Sequence, residues 1–162
     1  MKSKVAQFIS ILLMLLVTGL FWGTWFAMTR SIEIFSAGEF IKIGKVIIEN
    51  VATPMRIIFP GCLLFMILSI VLVPEKNSTR FYLMILAFMF MVIALLITLL
   101  AEVPIDNQLK NWTATTLPSD WETIRARWKF YHMLRTFSSV AGFGFFISAC
   151  LKSDCIRFVI RD

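Results

Sequence analysis

Apolar residues gather in four long runs, at residues 5–29, 57–73, 81–101 and about 130–151, joined by stretches in which polar and apolar positions alternate. A helix needs on the order of 20 apolar residues to cross a bilayer, and each run meets or approaches that length. The pattern predicts an all-α membrane protein, a four-transmembrane-helix bundle forming one domain over residues 1–162. Pro60 and Gly61 lie in the short second run, where they favour a kink or tilt. Lys2 and Lys4 precede the first run as they would in a signal peptide. Its apolar stretch is too long for one, however, and Ala27-Met28-Thr29 is a poor cleavage site, so it reads as a retained span.

The two longer connections carry order of their own. Ser36 and Glu39 have capping-box spacing, and Phe40, Ile43, Val46, Ile47 and Val51 follow at helical intervals until Pro54. This predicts an amphipathic helix between spans 1 and 2, ended by Pro54 and lying at the interface or folded over the bundle. Ser119 and Glu122 repeat the capping spacing after Pro118. No Gly or Pro then occurs before Gly142, which predicts one helix that starts outside the bilayer and continues as span 4, closing a structured loop between spans 3 and 4.

Composition fits this picture. The chain is 59% hydrophobic and 16% charged, with a mean hydropathy of +0.82, far more apolar than a soluble domain. Its net charge of +6 suits anionic lipid, and no basic run accompanies a nucleic-acid-binding motif, so no nucleic-acid partner is expected. With an inward N-terminus, the short segments facing the cytoplasm hold seven of the 16 Lys and Arg, at higher density than the long loops. That places both termini of a multi-pass membrane protein in the cytoplasm. Cys62, Cys150 and Cys155 show no CxxC spacing and read as small apolar residues.

The chemistry concentrates where the chain re-enters the membrane. At about 100° per residue, Trp121, Arg125, Trp128, His132, Arg135 and Ser139 share a stripe roughly 80° wide. A central charge costs about 2.5–3.5 kcal/mol on insertion scales, so the stripe should face the protein interior or the interface. Glu102 ends span 3, beside an Ala87–Ala94–Ala101 seam suited to helix packing. Glu102 and Asp106 are the nearest counter-ions for Arg125 or Arg135, and these three charges with Arg135 form an expected ion-pair support for the loop. A single histidine without a paired ligand such as HxxxH gives no metal set, and no nucleophile elbow supports Ser-His-Asp hydrolysis. In span 1, Gly19 and Gly23 make a GxxxG for close helix approach, while Trp22, Trp25 and Phe26 suit either a flat aromatic ligand or an interfacial belt.

Four segments then point to a family. GLFWGTWFAMTRS (residues 19–31), NVATPMR (50–56), EVPIDNQLKNW (102–112) and DWETIRARWKFYHMLRT (120–136) resemble the anthrone-oxygenase-like family of small four-span membrane proteins, in its bacterial branch. The likeness runs over nearly the whole chain, with Pro104, Asn107, Trp112, Trp121, Arg127, Trp128, His132 and Arg135 in order. Family members in polyketide pathways are implicated in oxidising an anthrone to an anthraquinone without metal or flavin. The resemblance thus implies a cofactor-independent oxygenase whose partners are dioxygen, a hydrophobic aromatic small molecule and membrane lipid. Removing a proton beside an anthrone carbonyl gives an enolate that can itself reduce dioxygen, so a base, an oxyanion donor and a dry slot suffice.

His132 is the expected base, with Arg135, Asn107 or Trp112 donating to the oxyanion and Trp22, Trp25, Phe26 and Trp128 flanking the rings. Arg127 matches the family pattern but sits about 160° from the stripe centre, so it should bind the loop or headgroups. The alternative class is a non-catalytic membrane protein, binding a lipid or quinone or serving as a subunit of a larger complex. Nothing in the chain argues against an oligomer.

Overall fold

The first apolar run has no proline and forms α1 (Lys2–Ala27) over its whole length. A short 3₁₀ turn, Thr29–Ile34, reverses the chain, and α2 (Ala37–Val71) begins behind the expected Ser36–Glu39 capping box. The Ser36 amide donates to Glu39 Oε2 at 2.9 Å and the Glu39 amide to Ser36 Oγ at 3.4 Å. After a turn capped by Ser78 come α3 (Thr79–Ile97), a π-helical turn (Thr98–Glu102), α4 (Val103–Asn111) and α5 (Trp121–Val159). The computed structural model describes residues 2–113 and 115–159; the Cys155 side chain lies outside what is described. Four helices are long and apolar enough to cross a membrane.

One expectation fails at α2. The amphipathic segment is not a separate interfacial helix, and Pro54 does not end it: both Pro54 and Pro60 lie inside one 35-residue helix. An interior proline costs about 3 kcal/mol through its missing N–H and its clash with the preceding turn. Buried side chains on both sides of Pro54 outweigh that cost, at about 1.5–3 kcal/mol each. Phe40, Ile41 and Ile48 bury upstream, and Phe59, Cys62 and Met66 downstream, so an unbroken helix keeps both sets in place.

The capping at α5 also differs. The helix begins at Trp121, and the Asp120 carbonyl accepts from the Ile124 amide at 3.2 Å, which puts Asp120 rather than Ser119 at the cap. The continuous helix into span 4 is present as expected.

The helices pack as two stacked layers. In the membrane layer, Met14, Val17 and Phe21 of α1 meet Phe59 and Met66 of α2, Met84 and Met91 of α3, and Phe146 of α5. Ala87 and Ala94 are fully buried, and the tightest approach is at Gly142 of α5, where an added Cβ would lie 3.0 Å from the Ala87 carbonyl oxygen. Gly19 and Gly23 behave otherwise than their GxxxG spacing suggests: both are exposed, and nothing lies within 4 Å of an added Cβ.

The second layer sits at the end opposite the described termini. Ile32, Phe40, Ile48, Ile105, Leu109, Trp112 and Trp128 form its own apolar cluster. Gly44 gives α4 room, since an added Cβ would run into the Leu109 side chain. Lys45 Nζ donates to the Trp112 carbonyl at 2.8 Å, and Lys129 pairs with Glu33 at 2.7 Å. Residues 30–56 and 102–130 therefore share one end of the bundle.

Candidate functional site

Where the two layers meet, the helix of span 3 widens. Pro104 has no N–H to offer the carbonyl four residues back, and its ring crowds that carbonyl. The chain answers with the π-helical turn Thr98–Glu102, a local form that recurs at functional sites. The Val103 amide returns to the Thr98 carbonyl, and Glu102 is left fully buried at the end of the turn.

Glu102 faces two residues that lie one turn apart on α5. Arg135 Nη2 is 3.4 Å from Glu102 Oε2, and His132 Nδ1 is 3.9 Å from the same oxygen. Arg135 Nη2 also donates to His132 Nδ1 at 2.7 Å, while its Nη1 reaches Thr98 Oγ1 at 3.4 Å. Below, the guanidinium lies over the Phe21 ring, 4.5 Å from its centroid. Above, the imidazole stacks on Trp128 at 5.2 Å and 30°, and the Trp128 indole N–H donates to Asp106 Oδ1 at 3.1 Å.

Several polar atoms here lack partners. Both Glu102 oxygens, His132 Nε2 and Arg135 Nε are buried without a hydrogen bond. The Glu102–Arg135 contact is close enough for an ion pair but misses hydrogen-bond alignment, so the carboxylate keeps its lone pairs free of donors. Arginine stays protonated and can only donate, so His132 Nδ1 must accept. The neutral imidazole then carries its proton on Nε2 and is a donor at that atom. In this arrangement Arg135 occupies the accepting nitrogen of His132, the residue expected as the base.

These groups line a cavity of about 440 Å³, within the range of small-molecule sites. Leu20 and Phe21 of α1, Ile47, Val51, Met55 and Phe59 of α2, and Leu95 and Val103 make its walls largely apolar. The lining residues of α1 and α5 are buried or half-buried, whereas Arg56 and Pro60 of α2 and Leu99, Val103, Asn107 and Lys110 opposite are exposed. The cavity thus opens sideways, between α2 and the π-turn with α4.

The expected site residues divide into two groups. His132, Arg135, Asn107, Trp128, Glu102 and Asp106 all line the cavity. Trp22, Trp25 and Phe26 do not: they cluster with Phe137 on the outer face of α1 and α5, with Arg30 over the Trp25 and Phe26 rings. Trp112 is buried against Phe40 in the outer layer, away from the cavity. Arg125 pairs with neither Glu102 nor Asp106. Its Nη1 donates to the Phe35 carbonyl at 2.8 Å and the Ile32 carbonyl at 3.3 Å, with the guanidinium over Trp121. It fastens the first connection to α5 through the carbonyls of Ile32, in the 3₁₀ turn, and Phe35, which follows it.

The wall residues Phe21, Met55 and Phe59 were not anticipated. A signal existed for Phe21, since Ser10, Met14, Val17 and Phe21 recur at helical spacing and form the buried stripe of α1. Among the described residues no three His, Cys, Asp or Glu side chains come together as a metal-binding group. A family model described as anthrone oxygenase matches residues 50–145, more than half of the chain and all of the cavity's polar cluster. No curated protein and no solved structure matches the sequence.

Proposed function

Since the chain belongs to the anthrone oxygenase family, we propose that it is a cofactor-independent oxygenase of a hydrophobic, flat aromatic substrate. The observation that carries this reading is the apolar cavity with a buried carboxylate, imidazole and guanidinium on one wall. An anthrone held there loses a proton from its ring methylene, and the resulting enolate passes electrons to dioxygen. Collapse gives a peroxide at that carbon, and loss of the second methylene proton with O–O cleavage yields the quinone and water. One dioxygen is consumed, one of its atoms entering the product and the other leaving as water. The protein's part is to accept the first proton, to hold the oxyanion with a donor such as His132, and to exclude bulk water. The sideways opening suits a substrate that arrives from the lipid. We place both termini in the cytoplasm of a bacterial cell, on the density of Lys and Arg in the short segments.

A second reading has its own support. The Arg135–Glu102 pair and the Trp128–Asp106 bond tie α5 to its surroundings, as a purely structural cluster in a lipid- or quinone-binding protein or a complex subunit would. Purified protein in lipid nanodiscs, given 1,8-dihydroxyanthrone, separates the two. Oxidation is expected to saturate with substrate and to fall at least tenfold in Ala52→Phe, whose ring would fill the cavity that Ala52 lines. Rates equal in wild type, Ala52→Phe and empty nanodiscs would leave the second reading standing.

A further inference from the structure

On the cavity wall His132 is not the group left free to accept a proton. The four polar side chains grouped on this wall, Arg135, His132, Asp106 and Glu102, are not equivalent. Arg135 has no lone pair to offer, and His132 spends its accepting nitrogen on Arg135 at 2.7 Å. Asp106 already receives the Trp128 indole N–H at 3.1 Å. Glu102 alone keeps both oxygens free of donors while being fully buried on the cavity wall. A buried polar atom left without a partner is uncommon and calls for an explanation. Here two kinds belong to residues of one cavity wall: carboxylate oxygens that can only accept, and the N–H groups of His132 Nε2 and Arg135 Nε, which can only donate.

We infer that Glu102 is the catalytic base and that His132 donates from Nε2 to the oxyanion. This deepens the proposed oxygenase reading and rests on it. In the step, the methylene C–H bond breaks heterolytically and its proton bonds to a Glu102 carboxylate oxygen. The electron pair enters the ring system, and the carbonyl oxygen becomes the oxyanion that His132 Nε2–H meets. Arg135 is the positioning residue. Its bond to Nδ1 fixes the imidazole tautomer, and its 3.4 Å approach to Oε2 fixes the carboxylate. The π-helical turn is what delivers Glu102 to this point: its wider ring closes with Val103 on Thr98 and turns the last residue inward.

The test separates proton abstraction from oxygen chemistry. Nanodisc-embedded protein is held under anaerobic conditions in D2O with 1,8-dihydroxyanthrone, and exchange at the ring methylene is followed by proton NMR against empty nanodiscs. Wild type is expected to accelerate exchange, and Glu102→Gln, which keeps the shape and an acceptor for Arg135, to lose at least 100-fold of it. Glu102→Asp, a shorter base, is expected to restore part of the rate, and it covers the case in which the glutamine variant fails to fold. His132→Gln, whose amide still donates, is expected to lose less than Glu102→Gln. Exchange in Glu102→Gln as fast as in wild type, or Glu102→Asp no better than Glu102→Gln in folded protein, would overturn the assignment while leaving the oxygenase reading intact. No acceleration by wild type would overturn both.

Discussion

Arg135 carries more connections than any other side chain on the cavity wall: an imidazole, a carboxylate, a hydroxyl and an aromatic face. Because Glu102 is fully buried, removing its cation leaves a carboxylate with no compensation. Breaking such a buried pair costs about 3–5 kcal/mol, whereas an exposed pair contributes about 1 kcal/mol or less. Arg135→Leu should therefore lower the melting temperature in detergent clearly. Arg135→Lys should recover only part, since an ammonium cannot reach His132, Glu102 and Thr98 from one rigid plane. An unchanged Tm in Arg135→Leu would mean that the pair is solvated and the site more open than described. At this scale the sequence exposed the polar stripe well, because charged residues at membrane depth stand out against apolar neighbours. It could not show which nitrogen of His132 is occupied, or that Arg125 turns to two backbone carbonyls, since carbonyls leave no mark in a sequence.

Helix packing is set by small residues, but only where a partner lies opposite them. A Cβ added at Gly142 would lie 3.0 Å from the Ala87 carbonyl oxygen, 3.2 Å from Phe90 Cβ and 3.3 Å from Met91 Cγ, which makes α3–α5 a seam with no spare room. Gly142→Val should destabilise the bundle by about 1–3 kcal/mol through overpacking. Gly19→Val, with nothing within 4 Å of its Cβ, should stay within about 0.5 kcal/mol. Thermal unfolding of the two variants side by side checks this, and equal destabilisation would show that α1 packs against something through its GxxxG face. The spacing of Ala87, Ala94 and Ala101 gave the α3 seam from sequence, but the GxxxG gave a contact that is not made. The motif reports that close approach is allowed, not that a helix is there to make it. Pro54 misled for a related reason. A proline's local cost is visible in sequence, while the burial of Phe40 and Phe59 on either side of it is a property of the assembled bundle.

For the molecule as a whole, the described fold places residues 30–56 and 102–130 at one end and the turn before Ser78 at the other, next to the start of α1. Single cysteines at Ser78 and Thr115, in a background lacking Cys62, Cys150 and Cys155, should label from opposite sides of the membrane in intact cells. Equal accessibility of both positions would contradict the four-span arrangement. The order of spans was readable from hydropathy, and the outer layer from the helical spacing of Phe40, Trp128 and their neighbours. The cavity was not, because it is bounded by α1, α2, α3, the π-helical turn, α4 and α5 together and no single segment encodes an empty volume.

The central claim, that this cavity oxidises a flat aromatic substrate with dioxygen and the chain's own side chains, is tested most directly by following both reactants at once. Wild-type protein in nanodiscs, treated with a metal chelator, is supplied with ¹⁸O2 and 1,8-dihydroxyanthrone, and oxygen uptake and quinone formation are measured together. The account predicts one dioxygen consumed for each quinone formed, at a rate above that of empty nanodiscs, with one ¹⁸O atom in the new carbonyl and the other in water. Oxygen uptake no faster than in empty nanodiscs, or a product carbonyl without the label before exchange with water, would contradict it.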